Sequence, residues 1–476
     1  MDRTRRRLLA ALGITGGGAL GGCLRLTDTG EGSSSTESTA TRSPDRSTAG
    51  TAAATEPETG TESPNDGATI SCTADAQPPT GAERFTHPFG DSRNSFAVPE
   101  RKVPEEQPCL AWTQSLPGQA NRVFTGPVVT GQHVVLYPTR RFRARRRTDG
   151  MVAWDGVETP AGAVRRPRPI GMSDGNLLVS GQNGRTEDLE LVAVDDTGSA
   201  VRSEVVYEAS GLNDAHVPTG RVVDDRVYLV ISDSANDETR VLAYDWPEGT
   251  VVWEKPIGGV DLRLEDMGAD TDSIVITSDE TVEGNDNVWA LASDDGSVRW
   301  STRLPIGEAV PVLDDSHVYL PIDGYDSDSF TNQVRAMSKA TGDVAWRFEV
   351  QNPPRTGVSV DDERVYLVAD NELYAIDSDT GSPEWRFSPE TDSRIRGDAN
   401  GLPIVCLNTL LLGSAFSDEA PARVRALNKD TGELRWSFGV DGTSVQSPIP
   451  VDGALYTVVE DRSEEDTQAV LYSFYR

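Results

Sequence analysis

Lysine is almost missing from this chain. Only four of its 476 residues are lysine (102, 255, 339 and 429), beside 40 arginines, and 76 Asp and Glu residues leave a formal net charge of −32. A chain so short of positive charge does not work through a basic field, which excludes a nucleic-acid binder of that kind. Histidine and cysteine are scarce too, with four of each. None of the histidines stands at ligand spacing from another His or Cys, and no C-x-x-C-H haem motif exists. The one apolar run, near the N-terminus, is too short to span a bilayer as a helix. Acid excess, few lysines and modest hydrophobicity fit a protein kept soluble in concentrated salt, where surface repulsion is screened over about 3 Å; the composition points to a halophilic archaeon.

Residues 1–22 read as an export signal. Thr4-Arg5-Arg6-Arg7-Leu8-Leu9 resembles a twin-arginine motif, with Arg5 and Arg6 as the pair. The Ala/Gly-rich apolar run ends Leu20-Gly21-Gly22-Cys23, which resembles a lipobox. The resemblance implies cleavage before Cys23, a lipid on its thiol and a mature protein on the outer face of the cell membrane. One acyl chain holds weakly, so firm anchoring needs a second lipid group. Residues 23–83 are dominated by Ser, Thr, Gly, Glu and Pro, too poor in apolar side chains to order themselves, and are expected to form a disordered stalk. Residues 84–108 regain aromatics and read as an irregular lead-in packed on the outside or across one face of the domain that follows. His87, in this stretch, is assigned to packing.

From 109 to 476 the chain repeats. The frame LYAIDSDTGSPEW (373–385) recurs at 142–154, 241–253, 288–300, 334–346 and 424–436, always with Ala six residues before a Gly and Trp four after it. A weaker copy at 191–202 has a turn one residue shorter and Arg202 in the Trp position. The Gly supplies the positive φ of a tight hairpin turn, and the flanks read as strands covered on both faces. Ahead of each hairpin lies a second strand pair around Asp-Asp, Asp-Ser or Asp-Gly, as in AVPVLDDSHVYLPI (309–322). Four strands per unit, with turn glycines 39–51 residues apart, is the arithmetic of a propeller blade. The chain finishes VLYSFYR (470–476), a third strand with Ser473 in the Ala position, and its missing fourth strand is CLAWTQS (109–115). Pairing the two closes the ring without a free edge. Trp112, Trp154, Arg202, Trp253, Trp300, Trp346, Trp385 and Trp436 then count eight blades, and the tryptophans are assigned to docking between sheets rather than to chemistry.

The Ala-x-Asp-x-x-Thr-Gly-x-x-x-Trp frame resembles the tryptophan-docking repeat of PQQ-type eight-bladed propellers, and the resemblance covers 109–476. One wing of that family is the quinoprotein dehydrogenases, with pyrroloquinoline quinone and calcium on the axis. The other is non-catalytic lipoproteins similar to the B subunit of the outer-membrane β-barrel assembly machine, which bind partners through loops on one face. Alcohol-oxidising members carry adjacent cysteines; Cys23, Cys72, Cys109 and Cys406 include no adjacent pair. The acidic run Asp323-Gly324-Tyr325-Asp326-Ser327-Asp328 lacks an EF-type calcium frame. The expectation is therefore a monomeric, lipid-anchored binding or scaffolding protein with no cofactor, metal or catalytic residue, whose partner is a protein or other envelope component. A PQQ- and calcium-dependent oxidoreductase is the alternative, and a purely structural envelope component a third reading.

Two local features stand apart. Cys72 and Cys109 bracket the lead-in of an exported chain, and a bridge between them would pin it to the closing strand; Cys406 reads as a small buried hydrophobe. RRFRARRR (140–147), with Arg165, Arg166 and Arg168, makes one blade basic in an acidic protein. It reads either as a solvated edge paired with neighbouring acids or as a docking patch for an acidic partner, a glycan sulfate or lipid phosphates.

Overall fold

Each copy of the repeat folds into a four-stranded antiparallel sheet, because alternating β-branched and aromatic residues are cut at regular intervals by two-residue and four-residue turns. The computed structural model describes residues 58–61, 69–72 and, with breaks of which 117–126 is the longest, 81–475. All lie in the unit Ala52–Arg476. Arg5, Arg6 and Cys23 lie outside the described residues, as does the acidic run beyond Asp323. The described residues contain strands and no helix.

The protein is an all-β, eight-bladed propeller. Blades 1 to 7 span 128–155, 158–207, 215–258, 264–302, 312–349, 359–388 and 404–440. Blade 8 takes three tiers from 444–475 and its outermost strand from Cys109–Ser115, which runs antiparallel to Gln468–Tyr475 with Trp112 opposite Ser473. In the other blades Ala144, Ala243, Ala290, Ala336, Ala375 and Ala426 face Trp154, Trp253, Trp300, Trp346, Trp385 and Trp436 across the outer strand pair, and Ala193 faces Arg202. The first strand of each blade is innermost. Those of blades 2 to 7 touch one another in succession and surround the axis. The core is a series of apolar layers between neighbouring blades; one joins Val312, Tyr319 and Trp346 of blade 5 to Val358, Val365 and Leu367 of blade 6.

Part of the expected 23–83 stalk is built into the domain. Glu58–Thr61 adds a parallel fifth strand to the outer edge of blade 6, against Pro383–Ser388. The Ile70 carbonyl and the Cys72 amide pair with Leu110 on the outer edge of blade 8. Low hydrophobicity argued for disorder there, but an edge strand offers unpaired backbone groups, and these hold a neighbouring segment whatever its side chains. Cys72 and Cys109 are disulfide-bonded, with Cα atoms 5.0 Å apart. Cys406 is fully buried in the innermost strand of blade 7, and burial pushes its thiol pKa up.

Candidate functional site

The tryptophans show how the ring is assembled. All the docking tryptophans but Trp436 lie on the turn glycine of the next blade. A Cβ on Gly150, Gly198, Gly296, Gly342, Gly381 or Gly432 would come within 2.5–2.8 Å of Trp112, Trp154, Trp253, Trp300, Trp346 or Trp385, respectively, or of the residue beside it. Glycine is thus required twice, for its positive φ and as a flat platform. The indole Nε1 donates to the carbonyl three residues before that glycine, as in Trp112 to Arg147 (2.9 Å), Trp300 to Lys339 (2.9 Å) and Trp346 to Ser378 (2.7 Å). Blade 8 has no such turn, and Trp436 donates instead to Pro104 of the lead-in (2.9 Å). Arg202 compensates for its missing indole by stacking its guanidinium 4.2 Å from the ring centre of Trp246, which sits on the platform of blade 3.

The residue three before the glycine also carries a clamp. Lys339 of blade 5 reaches Asp270 of blade 4 (2.6 Å), Lys429 of blade 7 reaches Asp361 of blade 6 (2.9 Å), and Arg147 of blade 1 reaches Asp452 of blade 8 (2.8 Å). Asp270 and Asp361 cap the first turn of their blades, with Oδ1 accepting from the Ser273 and Arg364 amides. Two of the chain's four lysines are therefore inter-blade ties. Their shared offset was visible in the sequence and went unread.

On the face that carries these turns, the lead-in follows the inner rim of the axis. The carbonyls of Ser92, Arg93, Ser95 and Phe96 accept from the amides of Ala269, Leu313, Val360 and Val405, on the innermost strands of blades 4, 5, 6 and 7 in turn. Asn94, fully buried, donates from Nδ2 to the carbonyls of Met267 (3.0 Å) and Pro311 (2.8 Å). Its Oδ1 accepts from Arg221 Nη2 (2.8 Å), and Arg221 pairs with Asp266 (2.7 Å), which also accepts from Thr219 (2.7 Å). His87 is buried beside this network, and desolvation followed by the nearby Arg221 charge holds its pKa well below 6.5.

The basic stretch is dispersed rather than gathered into one patch. Arg143 pairs with Asp155, Arg146 with Asp149 and Arg165 with Glu187. Arg145 is buried against the carbonyls of Gly150 and Ser115, and Arg147 is the fully buried clamp described above. The solvated-edge reading describes Arg143, Arg146 and Arg165, while Arg145 and Arg147 are buried. Alternation in a strand sends neighbouring arginines to opposite faces, which the run of like residues concealed.

The junction of blades 1 and 2 differs from the three that carry the inter-blade tie. Between blades 1 and 2, Thr130 occupies the place of Asp270, Asp314 and Asp361, and Asp196 of blade 2 faces it in place of a cation, with Thr130 Oγ1 donating to Asp196 Oδ1 (2.9 Å). Val135 stands where blades 3, 5, 6 and 8 have Tyr228, Tyr319, Tyr366 and Tyr456, and the Trp154 indole N–H finds no acceptor. A cavity of about 330 Å³ opens here, walled by Arg84 of the lead-in, Gln132 and His133 of the first blade-1 turn, Arg146 and Thr148 of the second, and Asp196. Burial lowers the His133 pKa against the opposing pull of Asp196.

The comparisons with known proteins agree with this architecture. A family model described as outer membrane protein assembly factor BamB matches residues 63–302 and 285–449. The chain belongs to that family. BamB of Yersinia pestis is 26% identical over 200 residues, 40% of this chain and 45% of that protein, so the match spans less than half the length of that curated relative. Among solved structures, the quinohemoprotein alcohol dehydrogenase ADHIIG from Pseudomonas putida HK5 aligns with a TM-score of 0.55 and 14% identity, over 82% of this chain and 80% of its own. The computationally designed Ika8 protein aligns with a TM-score of 0.52 and 12% identity, over 76% of this chain and 98% of its own. At such identities these two share the fold alone.

The residues at the turn-face end of the axis do not suit a quinone and calcium. Calcium takes six to eight oxygen ligands from convergent groups. Asp266, on the innermost strand of blade 4, already receives Arg221, Thr219 and the Met267 amide on one oxygen. Among the described residues no three His, Cys, Asp or Glu side chains come together as a metal site. The lead-in occupies the rim with its own backbone.

Proposed function

We propose that this BamB-family propeller is a non-catalytic binding or scaffolding lipoprotein, held by Cys23 at the outer face of the cell membrane and acting on a protein or envelope partner as a monomer. The observation that carries the reading is the buried Asn94–Arg221–Asp266 network. It commits the donors and acceptors at one end of the axis to holding the lead-in, leaving no convergent set there for a redox group. Twin-arginine export suits a protein that folds before it crosses, and the disulfide Cys72–Cys109 suits an oxidising exterior.

The quinoprotein alternative keeps one supporting observation, the shared fold with a quinohemoprotein alcohol dehydrogenase. Titration of the propeller with pyrroloquinoline quinone and calcium in molar KCl, read by calorimetry and dye-linked alcohol oxidation, separates the two. The scaffold reading expects no stoichiometric binding and no turnover; tight binding with turnover overturns it. Cys23→Ser is expected to release the protein from the membrane fraction into the medium, and retention of that variant overturns the lipid anchor.

A further inference from the structure

We propose that the cavity at the junction of blades 1 and 2 is a carbohydrate-binding site that takes one uncharged sugar residue. At three other junctions the corresponding space is closed by a cation from the second turn of one blade lying on an aspartate in the first turn of the blade before it. Here the polarity is reversed: a hydroxyl, Thr130, stands on the first turn and a carboxylate, Asp196, on the second. No described side chain fills the gap, and a volume of about 330 Å³ remains, at the lower end of the range for small-ligand sites.

The second observation is His133. Its Nδ1 is buried, has no hydrogen-bond partner and lies 3.9 Å from Asp196 Oδ1, too far for a direct bond and right for a bridging group. The imidazole is 8% exposed, so bulk water does not satisfy it. A buried polar atom left this way costs on the order of a hydrogen bond, and a ligand that supplies one recovers it.

The wall chemistry selects the ligand class. Arg84 and Arg146 present guanidinium donors, while Asp196 presents acceptors. Arg146 is already neutralised by two hydrogen bonds to Asp149, at 3.0 and 2.6 Å. Donors and acceptors therefore line the cavity together. A sulfate has acceptors only and would meet Asp196 with like charge. A sugar hydroxyl donates and accepts at once, so a ring bearing several of them can serve both. Gln132 and Thr148 add groups of the same dual character.

Gly131 sets the position of Arg84. A Cβ there would lie 2.5 Å from Arg84 Nη1 and 2.7 Å from its Cζ, so Gly131→Ala pushes the guanidinium out of the cavity wall without demanding an unusual φ. The test uses the full propeller in molar KCl with the methyl glycosides of glucose, galactose, mannose and N-acetylglucosamine, read by saturation-transfer NMR and calorimetry, with inorganic sulfate as an acceptor-only control. At least one glycoside is expected to bind at one site per chain. Asp196→Ala and Gly131→Ala are each expected to weaken it tenfold or more with no loss of the cooperative unfolding transition. The proposal is overturned if no glycoside binds at about 20 mM, a generous ceiling for a single-residue site, if sulfate binds as well as the sugars, or if both variants bind like the parent.

Discussion

Replacing Gly342 by alanine tests whether the turn glycines serve as platforms for the neighbouring blade. Gly342 has a φ of +76°, and a methyl group there would sit 2.8 Å from Trp300 Cδ2 and 3.0 Å from Cγ. Gly175, in a turn of blade 2, has nearly the same φ, +77°, with nothing within 4 Å. Gly175→Ala therefore carries only the backbone cost of an L-residue in the left-handed region, about 1–2 kcal/mol. Gly342→Ala carries that cost and must also displace a buried indole that donates to Lys339, an overpacking penalty of about 1–3 kcal/mol. The expected loss is about 2–5 kcal/mol, measured by urea unfolding in constant molar KCl with tryptophan fluorescence. The Trp300→Ala background removes the obstruction, so there Gly342→Ala should cost no more than Gly175→Ala, a coupling of about 1–3 kcal/mol. Equal costs for the two glycines in the parent, or no coupling with Trp300, would refute the platform argument and leave the glycine with a turn role alone.

The buried Lys339–Asp270 tie predicts that Lys339→Ala, which leaves a carboxylate only 3% exposed paired with the more distant Arg93 guanidinium (3.7 Å), costs at most about 3–5 kcal/mol in the same unfolding assay. Asn94→Ala removes the hydrogen bonds to the Met267 and Pro311 carbonyls and to the Arg221 guanidinium, which keeps Asp266, and places alanine at a φ of 62°; a loss of roughly 3 kcal/mol, with faster proteolysis of the lead-in, is expected. His87 predicts a pH dependence. Desolvation, then the Arg221 charge, keep its folded pKa well below 6.5, while the unfolded chain protonates near that value. Its contribution is full above about pH 6.5 and is lost as pH falls towards the folded value, at up to about 1.4 kcal/mol per pH unit, and His87→Gln should flatten that limb of the stability curve. Reduction of Cys72–Cys109 opens a loop of 37 residues and should lower the unfolding free energy by at most about 4 kcal/mol, read as a lower melting temperature in reductant.

Much of the propeller was legible because its determinants are local. The spacing of Ala, Gly and Trp in 373–385 and its copies is a strand–turn–strand code, and the matching of Ser473 to the Ala position with Trp112 as its missing partner was enough to place the ring closure between the two ends of the repeat. The offset of Lys339, Lys429 and Arg147 was equally legible as a pattern. Its meaning was not, since the aspartates they reach lie one blade away in a turn of different spacing. Arg202 looked like a defect in the weak copy until Trp246 appeared beneath it.

The sequence by itself determined the blade, the number of blades and the closure of the ring, because backbone hydrogen bonding and side-chain alternation within a hairpin depend on neighbours a few residues away. Only the tertiary structure decided what lies between blades and at the axis. The path of residues 92–96 around the inner rim, the seating of Glu58–Thr61 on blade 6 and the open cavity between blades 1 and 2 depend on which backbone groups and side chains distant segments bring together. Those pairings are set by the ring's curvature and by the packing of one blade on the next, quantities that no single repeat encodes.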